Sequence, residues 1–324
     1  TLYDSPSASY TGSLQVNGTR NTNSANCCAA LNSGSIGSNQ TICSGATPAT
    51  LTNTSSATGG NGSFSYQWQI STTSAVAGFS DISGATSATY SPGALTQDTW
   101  YRRKVTSCSG SSTQYTSAIK ITITALPTVT GSTGGSRCGT GTVSISATAS
   151  AGSIEWFTAS SGGTSIGSSS SGANWTTPII SSTTTYYAEA VSGTCRSSSR
   201  TAVTATVNAN PTANAGAALS AICQGATSSA MGGSVGGSAT GGTWSGGAGS
   251  WTNANNPSTA TYTAGAGESG SITLTLTTSG GSCGTTTATK SITINANPTA
   301  NAGAALSAIC QGATSAAMGG SVGG

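Results

Sequence analysis

"NANPTANAGAALSAICQGATSSAMGGSVGG" fills residues 208–237, and "NANPTANAGAALSAICQGATSAAMGGSVGG" fills residues 295–324, with Ser229 replaced by Ala316 as the one difference. A thirty-residue match at a fixed offset of 87 residues marks a duplicated structural unit, and a period of that order points to a repeat architecture. A chain of 324 residues then accommodates three full units with partial ones at its ends. The second copy reads as the opening of a further unit, so the sequence is expected to be an excerpt of a longer polypeptide.

Charged residues are 5% of the chain, against about 25% in an average soluble domain. Leu, Ile, Val and Phe supply 40 of the 324 residues, below the roughly one-fifth under which disorder becomes a serious reading. That reading also requires a high net charge, and the net charge here is +3. Ser, Thr, Gly, Asn and Ala take the vacant positions, and Thr is a good strand former. Thin sheets with a sparse core follow, held by backbone ladders and covalent links.

Apolar and polar residues alternate with a period of two. Ile119, Ile121 and Ile123 do so in "AIKITIT", Val143 and Ile145 in "TVSIS", and Ile272, Leu274 and Leu276 in "SITLTLTT". Each reads as a strand with one buried face, and no segment carries an apolar stripe of helical period. The expected class is all-β. Short joints containing Pro127, Pro211 and Pro298 interrupt the strand runs, since proline fixes φ and stops a strand from continuing. The units are placed at residues 36–125, 126–208 and 209–295, with 1–35 the tail of a preceding unit and 296–324 the start of a truncated one.

Nine cysteines, no histidine and no C-x-x-C spacing favour disulfides in an oxidising compartment over a metal site. An extracellular location follows. Neither a starting Met, nor a signal peptide, nor an apolar run of about 20 residues is present. Each full unit holds two cysteines: Cys43 and Cys108, Cys138 and Cys195, Cys223 and Cys283. Their separations of 65, 57 and 60 residues suggest one framework closed within each unit. A closed loop of about 60 residues contributes roughly 4 kcal/mol in the chain-entropy model. Cys310 repeats Cys223 without a following partner, and Cys27 and Cys28 either form a vicinal bridge or pair upstream.

The acidic residues are Asp4, Asp81, Asp98, Glu155, Glu189 and Glu268. Glu155 and Glu189 are the pair expected to meet, on neighbouring strands. Two carboxylates about 5 Å apart suit a retaining glycosidase, but alternation turns them toward the wet face opposite Trp156, where neither gains the raised pKa of a general acid. Without histidine or a G-x-S-x-G elbow there is no nucleophilic triad, and without an Asp cluster there is no calcium site. No enzyme activity, cofactor or metal is expected. Arg102, Arg103 and Lys104 beside Trp100 and Tyr101 form a basic, aromatic cluster that would suit an anionic glycan or, more plainly, cover a thin core. Trp175 and Trp251 sit in loop-like contexts, as ligand contacts or as lids over a sandwich end. A net charge of +3 argues against nucleic acid.

Three stretches carry a resemblance. "YQWQISTTSAVAGFSDISGATSATYSPGALTQDTWYRRKVTS" places Tyr66, Trp68 and Ile70 on one strand face, as an immunoglobulin-like sandwich places its core Trp. The second unit reads "GTVSISATASAGSIEWFTASSGGTSIG" and "WTTPIISSTTTYYAEAVSGTC", and the third "GGTWSGGAGSWTNANNPSTATYTAGAGESGSITLTLTTSGGSCG". Together they resemble the Ig-like and PKD-like repeat modules of giant secreted surface adhesins of Bacteroidota, of the gliding-motility type carried by type IX secretion. The resemblance implies tandem β-sandwiches in an extended rod, a spacer serving adhesion or gliding at the cell surface. Its implied partners are surface polysaccharide or another extracellular substratum, neighbouring repeats of the same longer chain, and the cell-surface motility or secretion machinery. Competing readings are carbohydrate-binding accessory modules of a secreted polysaccharide-degrading enzyme, and a structural filament subunit.

Overall fold

The computed structural model describes residues 28–323; Cys27 and most of the 1–35 segment lie outside them. Among the described residues the one helical element is a 3-10 turn at Cys108–Gly110. Everything else is strand or connection, arranged as three β-sandwiches.

In the first sandwich the larger sheet runs Gln40–Cys43, Ile119–Thr124, Thr99–Ser107, Ser65–Ser71 and Ser80–Asp81. Ala29–Asn32 pairs with Thr58–Gly60, and Ser35–Ile36 with Asn53–Ser55. Leu31 packs there against Ala57 and Val105. This sandwich therefore reaches back to Ala29, before the expected start at residue 36. The second sandwich orders Gly135–Cys138, Thr201–Asn208, Thr184–Ser192, Ser153–Phe157 and Gly167–Ser170 in one sheet, with Val129–Thr133, Ser144–Ala149 and Asn174–Thr176 in the other. The third orders Ile222–Cys223, Thr287–Asn295, Gly270–Ser279 and Gly241–Ser245, opposite the short pairs Thr212–Asn214 with Ser234–Gly236 and Ser250–Thr252 with Thr261–Thr263. The chain divides into two compact units. One takes the described residues up to Leu126 together with Gly193–Cys195, and the other takes Pro127–Ser192 and the described residues from Arg196 onward, which include the third sandwich.

Alternation explains the sheets. Along Thr99–Ser107 every second residue is buried, and Leu274 and Leu276 are buried between partly exposed threonines. Aromatic rings make up for the missing aliphatics. Trp68, Trp156 and Trp244 are buried at the sandwich centres, and each begins a row of three rings: Trp68 to Tyr90 and on to Tyr101, Trp156 to Trp175 and on to Tyr186, and Trp244 to Trp251 and on to Tyr262. Such a ring buries about 150–250 Å², worth roughly 4–6 kcal/mol of transfer free energy. The buried indole N–H groups are satisfied: Trp68 donates to Ser87 O at 2.9 Å and Trp244 to Pro257 O at 2.9 Å.

The disulfides differ from the expected pairing. Cys28 bonds Cys108, Cys43 bonds Cys195, and Cys138 bonds Cys283, while Cys223 and Cys310 are free. Cys43–Cys108, Cys138–Cys195 and Cys223–Cys283 are thus not formed, and Cys28 does not join a vicinal pair. Strand direction is the reason. Cys43, Cys138 and Cys223 end short strands that run parallel to the final strand of their sandwich, opposite Thr124, Asn208 and Asn295. The second cysteine of each unit follows the penultimate strand, at the other end of that final strand. At about 3.3 Å per residue, the eight residues of Thr201–Asn208 separate Cys138 from Cys195 by more than roughly 20 Å, whereas a disulfide needs Cα atoms within about 7 Å.

Beyond the third sandwich, Thr299–Asn301 pairs with Ser321–Gly323 in the register by which Thr212–Asn214 pairs with Ser234–Gly236. The turn leaving the first strand is the same in both copies. Asn214 accepts from the Gly216 amide and Asn301 from the Gly303 amide, each at 2.8 Å. Gly216 and Gly303 take φ of 76° and 84°, a region in which a side chain is strained.

Candidate functional site

The basic residues Arg102, Arg103 and Lys104 lie on the strand Thr99–Ser107 of the first sandwich. Its alternation sends Arg103 inward, where it is 0% exposed. The guanidinium donates to Asn53 Oδ1, to Ala88 O at 2.8 Å and to Ser33 O at 3.3 Å, and lies 4.4 Å from the centre of the Tyr66 ring. Burial holds its pKa below the usual arginine value. Arg103 cannot reach an external anion, so the expected three-residue patch is not a surface cluster. Arg102 is held between the Phe79 and Tyr115 rings, at 4.1 and 4.2 Å, and donates from Nε to Gln69 Oε1 at 2.6 Å. Lys104 is half-buried on the same face. Beside them Lys120 lies 5.1 Å from the Trp100 ring and 2.6 Å from Asp98. The hydrogen bond from Lys120, with a second from the Ile123 amide, holds the Asp98 carboxyl below its ordinary value. Burial pushes the Tyr101 phenol up to about 12.

Trp175 and Trp251, expected in loops, stand half-buried on the short strands Asn174–Thr176 and Ser250–Thr252. Trp175 stacks on Trp156 at 5.1 Å and 11°, and meets the edge of Tyr186 at 5.3 Å. Trp251 stacks on Trp244 at 6.0 Å and 15° and donates to Gly246 O at 3.1 Å. One face of each ring is therefore spent on the sandwich interior.

Glu155 and Glu189 do come together, directly opposite on the Ser153–Phe157 and Thr184–Ser192 strands. Both stand on the face opposite Trp156, as expected, but Glu189 is buried there under arginine side chains. Two arginines from the "CRSSSR" stretch, which sequence reasoning passed over, occupy the site. Arg196 reaches Glu155 at 2.7 and 3.3 Å and Glu189 at 3.5 Å. Arg200 donates from Nε to Glu189 at 2.9 Å and from Nη1 to Ala159 O and Gly162 O at 2.9 and 2.7 Å. Its guanidinium lies 3.3 Å from the Phe157 ring centre. The hydrogen bond with Glu155 raises the Arg196 pKa. Two carboxylates paired with two guanidinia tie the stretch from Arg196 to Arg200 to the sheet. The signal in the sequence was two arginines spaced four apart at the opening of a final strand.

Among the described residues, no group of three or more Cys, Asp or Glu side chains is placed to hold a metal. No helix among them is long and apolar enough to cross a membrane. The geometry concentrated in this chain is instead its covalent one: three disulfides whose sequence separations are 80, 152 and 145 residues.

Residues 125–209 match the family described as an Ig-like domain, CHU_C associated, and residues 32–125 match a domain of unknown function, DUF8696. The Ig-like match thus covers the second of the three consecutive β-sandwiches. No curated protein matches it. Among solved structures it is similar to an E-to-A variant of titin domains I67–I69, with 14% identity, 82% of this chain and 99% of that chain covered, and a TM-score of 0.44. It is also similar to the three N-terminal domains of the bacteriophage RB49 Hoc outer capsid protein, with 12% identity, 82% and 99% coverage, and a TM-score of 0.36. The fibronectin(III)-like modules of Clostridium thermocellum CbhA match 54% of this chain and 94% of their own, at 12% identity and a TM-score of 0.29.

Proposed function

We propose that this chain is a segment of a long cell-surface repeat adhesin, a disulfide-stapled spacer rod that supports adhesion or gliding on surfaces, of the kind found in secreted Bacteroidota adhesins exported by the type IX route. The observation that carries this reading is the Cys138–Cys283 bond, which joins the second sandwich to the third instead of closing either one. A bridge of this kind adds little to a binding module and much to a load-bearing series, because it resists opening of the joint at Pro211. In a linear array each sandwich adds length and interacts with its neighbours. The role is non-catalytic, consistent with carboxylates neutralised by arginine. Few charges and many hydroxyls suit a surface that meets polysaccharide through weak hydrogen bonds, insensitive to salt. The working units are residues 36–125, 126–208 and 209–295, the first with its added Ala29–Ile36 strands.

Small-angle scattering of chains with one, two and three sandwiches tests the spacer role. The maximum dimension is expected to grow in proportion to sandwich number, and one that stays nearly constant would overturn the reading. Glycan-array binding lost in Trp175→Ala or Trp251→Ala without loss of folding would favour carbohydrate-binding modules instead.

A further inference from the structure

We propose that Cys223 is one half of a disulfide whose other half is a cysteine placed in a following unit as Cys283 is placed in the third sandwich. The proposal rests on the repeat geometry and is independent of what the rod binds.

Three observations carry it. The first is register. Cys43, Cys138 and Cys223 each end a strand parallel to the final strand of their sandwich, and each stands opposite that strand's last residue: Thr124, Asn208 and Asn295. The second is use. Cys43 and Cys138 are both bonded, and each to the cysteine that follows the penultimate strand of the next sandwich along the chain: Cys195 after Thr184–Ser192, and Cys283 after Gly270–Ser279. Cys223 has the same placement, is exposed, and is free. Its own sandwich offers it nothing, because Cys283 is already bonded to Cys138 and lies at the far end of the nine-residue strand Thr287–Asn295. The third is the duplication. Residues 299–323 repeat the opening hairpin of the third sandwich in sequence and register, so the unit that follows Cys223 starts as the third sandwich does.

Completing that opening with the chemistry of residues 238–295 supplies the missing cysteine at the place occupied by Cys283. Bond formation removes two thiol protons and two electrons. A disulfide oxidant of the glutathione class accepts them, its own S–S bond opening to two thiols as the new one closes. Each sandwich is then linked backward through its hairpin cysteine and forward through its edge-strand cysteine, and Cys310 holds the forward position for the unit after that.

The test lengthens the 324-residue chain past Gly324 by a second copy of residues 238–295, with Ser282→Thr in the appended copy as a mass marker. It is folded in reduced and oxidised glutathione and mapped without reduction. Peptides of Cys223 and Cys310 are told apart by Ser229 and Ala316. Alkylation of Cys223 is expected to be complete in the 324-residue chain and to fall to background in the lengthened one, where its peptide is joined to the marked copy. Cys223→Ser leaves the marked cysteine alkylatable, and Cys138–Cys283 persists throughout. Peroxide reactivity of Met318, lost when the added sandwich closes, reports folding. A protected Met318 with Cys223 still free, or with Cys223 bonded to Cys310 or to a second chain, overturns the proposal. So does a Met318 that stays reactive, since residues 238–295 would then not complete the unit.

Discussion

The two copies of the thirty-residue segment share a sequence and a hairpin, and differ in everything that surrounds them. In the first copy Met231 is 1% exposed, packed with Trp244 and Tyr262, while in the second Met318 is 80% exposed. Val235 and Ile222 pack against the third core, and their counterparts Val322 and Ile309 face outward, Val322 at 89%. Lys290 of the final strand donates to Met231 O at 2.6 Å and Ala217 O at 2.9 Å and so fastens the first copy to the sheet opposite. Local sequence thus suffices for the Asn-turn and the strand pair, because those need only backbone bonds and a left-handed glycine. Burial of the apolar face depends on strands that come fifty residues later.

The sharpest way to break this contrast is to open the first copy. Trp244→Ala removes the ring on which Met231 and Trp251 pack, a change expected to cost about 3–5 kcal/mol. Met231 should then oxidise with peroxide as fast as Met318, as followed by mass mapping. If Met231 stays protected, the core does not account for the difference between the copies.

Truncating the methionines themselves is the next step down. Met231→Ala should destabilise the third sandwich by about 2–5 kcal/mol, while Met318→Ala stays within about 0.5 kcal/mol, read from denaturant melts followed by tryptophan fluorescence. Equal effects would mean that the second copy is covered in solution.

Acid gives a smaller and reversible version. Glu268 is buried and accepts from Tyr262 and from the Ala248 and Gly265 amides, at 2.5, 2.9 and 3.0 Å. Burial alone would raise its pKa, but these bonds outweigh it and hold it below the ordinary 4.5. A depressed folded-state pKa means that the unfolded chain binds the proton more readily, so this stabilisation is present above pH 4.5 and is lost as the pH falls through the folded value. Chemical melts between pH 6 and pH 3 should show the third sandwich weakening, and Glu268→Gln should lose about 1–3 kcal/mol at neutral pH and flatten the dependence.

The smallest effect belongs to the one residue by which the copies differ. Ser229 is exposed, and Ser229→Ala should change stability by less than about 0.5 kcal/mol. A larger loss would place part of the contrast in sequence after all.

Much of the rest was legible from residues alone. Period-two alternation located strands around Ile119, Val143 and Leu274, because burial of one sheet face is written directly into that period. The meeting of Glu155 and Glu189 was legible too, since both lie on long strands of one unit. What alternation could not show is the direction of a two- to four-residue strand such as Ile222–Cys223. That direction decides at which end of the sandwich a cysteine emerges, and the pairing expected within each unit failed on it. The inward turn of Arg103 was hidden for a related reason: in "WYRRKV" either parity is chemically acceptable until Asn53, Ala88 and Ser33 are brought around the guanidinium.

By itself the sequence determined the all-β class, the repeat and the oxidising setting, since these follow from periodicity, duplication and cysteine content along one dimension. Tertiary structure alone decided which cysteines bond and which charges are neutralised. Each of those depends on distances between residues far apart in the chain, and such distances exist only once the strands have chosen their neighbours and directions.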